Sequence, residues 1–168
     1  QLSGVPTICA HYEGVRRENL VVVAPDISRA KVTEAYAKRL GLPLAVVDRR
    51  MGGDGSIQVH GVIGDVAGHD VIFFDDEIIT GRSILEGAAA VKDRGAKKIY
   101  AGCVHGTLTS ETIERLDQSG LEGVAITDTI PLPTGKGNPK VQVCSVASLF
   151  ANAIRAIHEE TSISALFN

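Results

Sequence analysis

No two cysteines of this chain stand at a spacing that would hold a metal or form a redox pair. Cys9, Cys103 and Cys144 lie far apart, and their number is odd. That excludes a CxxC motif and argues against a disulfide framework. Cys103 and Cys144 read as small buried residues inside strands. The five histidines, at 11, 60, 69, 105 and 158, are just as scattered, and no HxxxH pair occurs. Positive charge is not in excess. The formal net charge of −3 excludes a general basic surface for nucleic acid, so any anion must be bound locally. No apolar run is long enough for a membrane span, and no signal-peptide pattern, internal repeat or low-complexity segment is present. These absences lead to the expectation of a cytoplasmic protein with neither membrane nor nucleic-acid partners. The start at Gln1 rather than Met leads to the expectation of a longer parent chain.

What is present is an ordinary globular composition, 44% hydrophobic and 22% charged over 168 residues. That is enough for one α/β domain spanning 1–168. Short apolar runs alternate with helical periods. "LVVVA" (20–24) is a β-branched run that stops at Pro25-Asp26 and reads as a buried strand. Ser28 is placed to cap a helix through Leu40, with Val32, Tyr36 and Leu40 on one face and Gly41 as its stop. "LAVVD" (44–48) is a strand, and "MGGDGS" (51–56) is a glycine-rich loop or hairpin tip. "IQVHGVIGDV" (57–66) reads as a strand pair or an edge strand.

A buried strand "DVIFFDD" (70–76) comes next, followed by a helix with Ile84, Leu85, Ala88 and Val91 inward that stops at Gly95. Strands at 98–104, 123–128 and 141–146 flank a short helix at 109–120. The last helix carries Leu149, Phe150, Ala153, Ile154 and Ile157 as a wide apolar face. This alternation predicts a doubly wound, mostly parallel sheet with helices on both faces. Ligands of such sheets bind beyond the carboxyl ends of the strands.

Polar residues gather at three predicted strand ends: Asp26 to Arg29, Asp48 to Arg50, and Asp75-Asp76. The last pair opens the string "DDEIITGRS" (75–83). Thr80, Gly81, Arg82 and Ser83 begin a helix, where backbone N–H groups and the helix dipole favour a phosphate. The paired carboxylates are suited to accept hydrogen bonds from the vicinal hydroxyls of a ribose. Either half alone also fits a solvated turn. Together they restrict the reading to a phosphosugar seat. A carboxylate such as Asp26 has a further use if Mg²⁺ accompanies a polyphosphate.

At these residues the chain resembles the type I phosphoribosyltransferases, and more narrowly the C-terminal half of the ribose-phosphate pyrophosphokinases. The resemblance rests on "NLVVVAPD" (19–26), "AKRLGLPLAVVDRR" (37–50), "VIGDVAGHDVIFFDDEI" (62–78), "RGAKKIYAGCVHGTLT" (94–109), "VAITDTIPLP" (124–133) and "SLFANAIRAIHEETSISALF" (148–167). It implies transfer of the β,γ-pyrophosphoryl group of ATP to the 1-hydroxyl of ribose 5-phosphate, with Mg²⁺ and release of AMP. In that picture Asp75 and Asp76 hold the ribose hydroxyls, and Ile79 to Ser83 wrap the 5-phosphate. Asp26, Ser28, Arg29 and Lys31 belong to the pyrophosphate loop, with Asp26 as a Mg²⁺ ligand. Arg49 stands at the family's catalytic lysine. ATP would be held mainly by an N-terminal half or a partner chain, and a homo-oligomer is expected.

Several positions depart from the family pattern. Two glycines after Pro-Asp are here Ser28 and Arg29. The usual Lys-Arg-Arg is Arg49-Arg50-Met51. The acid before Thr-Gly is Ile79, and the loop's second small residue is Arg82. Arginine in place of lysine keeps the charge but changes a compact ammonium into a planar fork. Arg82 is placed to offset a lost charge by pairing with the phosphate. The departures open a second reading, a non-catalytic regulatory paralogue of the synthetase. A third, a phosphoribosyltransferase acting on preformed phosphoribosyl pyrophosphate, needs a base-binding hood that the sequence does not show. His105-Gly106 and Thr127 to Thr129 read as turn and strand-end structure.

Overall fold

A computed structural model describes residues 2–14, 19–51, 57–133 and 138–163. Strands β1 (Leu20–Ala24), β2 (Leu44–Met51), β3 (Ile57–Ile63), β4 (Asp70–Ile78), β5 (Ile99–Gly106), β6 (Gly123–Thr127) and β7 (Val141–Cys144) form one sheet. Its order is β3-β2-β1-β4-β5-β6-β7. Every neighbouring pair is parallel except β2 with β3, an antiparallel edge. The helices are α1 (Val5–Tyr12), α2 (Ala30–Leu40), α3 (Arg82–Asp93), α4 (Ser110–Gln118) and α5 (Ala147–His158). This is the doubly wound, mostly parallel α/β sheet that the alternation predicts.

The central strands read as unbroken apolar runs because both of their faces are covered. Leu20, Val22, Ile72 and Phe74 pack against Ile8, Tyr12, Tyr36 and Leu40 of α1 and α2. The alternate residues Val21, Val23, Val71 and Phe73 pack with Ile84, Ala88, Val91, Ile113 and Leu116 of α3 and α4. Each such side chain contributes about 1.5–3 kcal/mol when fully buried. Tyr36 stacks on Phe74 with ring centroids 4.3 Å apart, which fixes α2 over β4.

The structure departs from the sequence pattern in five places. Helix α1 was not anticipated; Pro6 starts it, and its β-branched Val5, Thr7 and Ile8 hide the helical period. Ser28 is not the cap of α2. Asp26 caps a 3₁₀ turn, Ile27–Arg29, by accepting from the Arg29 N–H at 3.0 Å, and Ser28 Oγ donates to the same carboxylate. Val32 faces water, whereas Tyr36 and Leu40 are buried as expected. The apolar face of α5 does not pack inward. Ala153 is its buried residue, while Phe150, Ile154 and Ile157 are 51%, 65% and 68% exposed. The reason is position: α5 follows β7, the edge strand, and no described element lies beyond it. Edge placement likewise leaves Cys144 half-buried, in contrast to Cys103 in central β5.

The glycine stops hold. Gly41 (φ 66°) ends α2 in the left-handed conformation, and Gly95 (φ 88°) follows α3. Thr127 to Thr129 end β6 as expected: Thr127 Oγ donates to the Val104 carbonyl, and Asp128 accepts from the Val146 N–H. His105 lies inside β5 with Nδ1 2.9 Å from Thr129 Oγ. Among the described residues no helix is long and apolar enough to cross a membrane. The glycine-rich tip at 52–56 and most of the "SISALF" run, 164–167, lie outside the described residues.

Candidate functional site

The strand order reverses at β1, with β2 on one side and β4 on the other. The carboxyl ends of β1 and β4 therefore flank the crevice where such sheets bind ligands. From β1 come Asp26, Ser28 and Arg29; from β4 come Asp75 and Asp76. The two acids lie within β4, as expected, but the strand runs two residues past them, since pairing to β5 continues to Ile78. Alternation then sends them to opposite faces.

Their environments differ accordingly. The Asp75 side chain is 10% exposed and that of Asp76 is 51% exposed. Burial, reinforced by the hydrogen bond shared with Asp76, pushes the Asp75 carboxyl up to about 7. That same hydrogen bond, together with the guanidinium of Arg29, holds Asp76 below the usual carboxylate range. Near neutral pH the Asp75 carboxyl is thus partly protonated, and in that form the pair can donate one hydrogen bond while accepting others. Arg29 bridges the acids, with Nη1 2.7 Å from Asp76 and Nε 3.4 Å from Asp75.

Beside Asp75 opens a cleft of about 210 Å³ lined by Arg29, Asp75, Glu77 and residues 78–84. Its volume is below the ~300 Å³ at which drug-sized pockets begin, which suits a small polar ligand. Gly81 (φ 70°) turns the chain from β4 into α3 and forms the N-cap. Glycine takes this left-handed turn without strain. The turn gathers Thr80, Arg82 and Ser83 at a helix start whose first N–H groups lack intrahelical partners. Thr112 Oγ of α4 donates to the Ile79 carbonyl at 2.9 Å and ties the loop down.

The structure thus brings Arg29, Asp75, Ile79, Thr80, Gly81, Arg82 and Ser83 to one cleft. Asp76 faces a neighbouring hollow of about 350 Å³ that Tyr36, Val104 and His105 also line. Asp26 and Ser28 do not line the cleft and reach it only through Arg29. Lys31 is exposed on the first turn of α2. Arg49 lies away from the acids, beneath α3, where its Nη2 meets Glu86 at 2.6 Å. A register shift between Asp48 and Arg49 leaves His60 of β3 unpaired at this point. Arg82 also turns to Glu86, at 2.6 Å. Sequence reasoning passed over Glu86. Its spacing of four from Arg82 was the available signal, since such residues meet on a helix.

Comparison with known proteins decides the family. Residues 56–168 match the phosphoribosyl synthetase-associated domain family. The chain belongs to that family. It is 40% identical over 168 residues to a ribose-phosphate pyrophosphokinase of Clostridium acetobutylicum, covering 99% of this chain and 53% of that one. A ribose-phosphate pyrophosphokinase of Caldanaerobacter subterraneus is 44% identical over 150 residues, covering 89% of this chain and 48% of the relative. The crystal structure of phosphoribosylpyrophosphate synthetase from Mycobacterium smegmatis superposes with a TM-score of 0.78 at 36% identity, over 93% of this chain and 49% of that one. A purine phosphoribosyltransferase from Pyrococcus horikoshii, at 17% identity over 84% of this chain and 78% of its own and a TM-score of 0.52, shares the fold. The synthetase domain described here spans about half the length of the curated relatives it matches.

Proposed function

We propose that this domain is the ribose 5-phosphate-binding half of a ribose-phosphate pyrophosphokinase. The cleft beside Asp75 carries the reading, because it joins that buried carboxyl, with Asp76 next to it in the chain, to a helix-start anion seat. Asp75 and Asp76 bind the ribose hydroxyls, and residues 79–83 bind the 5-phosphate. Arg29 exchanges its acids for the incoming sugar. The reaction is transfer of the β,γ-pyrophosphoryl group of ATP to the 1-hydroxyl, with AMP released. Such transfer depends on positioning and charge neutralisation. ATP is held mainly by a further domain or partner chain.

Mg²⁺ belongs to the same proposal. One Asp26 oxygen is engaged by Ser28 and Arg29, which leaves the second for a cation. No group of three or more His, Cys, Asp or Glu suited to a metal occurs among the described residues. A single carboxylate nonetheless fits Mg²⁺, which keeps waters and binds substrate phosphates. When bound, the ion neutralises polyphosphate charge. The catalytic role proposed for Arg49 requires its guanidinium to exchange Glu86 for phosphoryl oxygens. Lys31 and Ser28 complete the pyrophosphate loop. The proposal includes a cytoplasmic homo-oligomer in which a second copy covers the apolar stripe of α5.

Titration of the 168-residue chain with ribose 5-phosphate, with and without Mg²⁺, in a calorimeter tests the seat. Saturable binding that Asp76→Asn weakens supports it. Binding indifferent to Asp76→Asn places the sugar elsewhere. The buried Arg49–Glu86 pair favours a second reading, a regulatory paralogue that keeps the seat and has lost catalysis. Assay of the full parent chain for AMP release separates the two.

A further inference from the structure

Arg49 and Arg82 share one carboxylate. Arg49 Nη2 lies 2.6 Å from Glu86 Oε2, and Arg82 Nε lies 2.6 Å from Glu86 Oε1. The two guanidinium groups are unequal. The Arg49 side chain is 6% exposed, and its Nε–H has no acceptor among the described residues. Taking Glu86 away would strand a buried cation, which is costly. The Arg82 side chain is 64% exposed, and an exposed pair of this kind is weak. Glu86 is therefore held by Arg49 and is only lightly bound to Arg82. Arg82 also lines the cleft with Thr80 and Ser83. An anion in that cleft and Glu86 compete for the same guanidinium.

We propose that Glu86 is a positioning residue that sets the anion affinity of the cleft by holding Arg82 back, and that Arg49 keeps Glu86 in place until the nucleotide binds. This rests on the cleft being the phosphate seat proposed above. The three side chains link β2, which carries the proposed catalytic position, to the first turn of α3. Occupation of the phosphate seat transfers Arg82 from Glu86 to the ligand. Glu86 is then left to Arg49 alone, and the cation beneath α3 is held more firmly while the second substrate is awaited.

Calorimetric titration with inorganic phosphate and with ribose 5-phosphate tests this on the wild-type chain, Glu86→Gln, Arg82→Ala and the double variant. Glu86→Gln should bind inorganic phosphate about two- to fivefold more tightly, the range of an exposed ion pair released from competition. The gain should vanish in the Arg82→Ala background. A merely structural Glu86 would lower affinity, or leave it alone, in both backgrounds. Unchanged or weaker binding by a folded Glu86→Gln overturns the proposal, as does a gain that survives Arg82→Ala. Should Glu86→Gln melt early because Arg49 is left underpaired, Glu86→Gln combined with Arg49→Met supplies the folded background, with the same gain expected. A Glu86→Gln gain with equal affinity for inorganic phosphate and ribose 5-phosphate upholds the role of Glu86 and removes the sugar reading. No phosphate binding by any of the four proteins overturns both.

Discussion

Arg29 Nη1 lies 2.7 Å from Asp76 Oδ1, so a cation from the end of β1 occupies the acids of β4. The contact links the ends of β1 and β4 at the reversal of strand order. It also explains how two adjacent carboxyls are tolerated in a partly buried strand end. Repulsion between them is relieved by a shared proton and by one guanidinium.

Removing that guanidinium should move the proton. Arg29 lowers the Asp75 carboxyl against the effect of burial. Arg29→Ala should therefore raise the Asp75 midpoint above its present value of about 7. Carboxyl-carbon NMR titration reads it directly. An unmoved midpoint would mean that Arg29 points into solvent and leaves the acids alone.

The position of the phosphate loop depends on how closely α3 lies on the sheet. A Cβ added at Gly87 would stand 2.8 Å from Phe73 Cε1, a contact that forces α3 outward. Gly87→Ala should cost about 1–3 kcal/mol, as overpacking does. Gly120, with nothing within 4 Å of such a Cβ, provides the control, and Gly120→Ala should stay within about 0.5 kcal/mol. Urea denaturation of both variants is the measurement; equal stabilities would show that α3 stands clear of Phe73.

The strands and most of the cleft were legible because local chemistry fixes them. β-Branched runs covered on two faces look alike in any context, and the Thr80 to Ser83 loop is contiguous in sequence. What was not legible depends on neighbours. Ser28 and Asp26 are both good caps, and only the backbone path after β1 selects Asp26. The α5 pattern predicts an apolar face, but periodicity does not say what covers it. Arg49 and Glu86 are 37 residues apart, and no local rule pairs them. Asp75 and Asp76 look equivalent as a dipeptide; strand alternation separates a buried acid from an exposed one.

The exposed stripe of α5 gives a test of association. Ile154 and Ile157 are 65% and 68% exposed, so serine at both should leave the melting temperature of the dilute chain nearly unchanged. If a second copy covers the stripe, sedimentation of the variant should shift toward the monomer. An unchanged sedimentation profile would place the oligomer contact on another face.

Asp75 should also leave a signature in stability against pH. Its folded pKa of about 7 lies above the ordinary value of 3.8. Between these limits the folded chain keeps a proton that the unfolded chain has released. Stability from this group is therefore complete below about 3.8 and lost as pH rises through about 7. Asp76 acts in the opposite sense. Its pKa is lowered, first by the hydrogen bond from Asp75, so its contribution is present above the ordinary value and lost in more acidic solution. Asp75→Asn keeps the shape of the protonated acid and cannot ionise. Relative to wild type, it should gain stability from pH 4 to about pH 7 and level off above it, with the acid branch of Asp76 lying below that window. Each tenfold difference in proton affinity between the folded and unfolded chains is worth ~1.4 kcal/mol. Across the shift from 3.8 to about 7, which already includes the effects of Arg29 and Asp76, the gain should be on the order of 4 kcal/mol. Urea midpoints for both proteins across the window measure it. A flat difference would mean that Asp75 ionises as an ordinary surface acid, and the shared-proton account of the pair would fall with it.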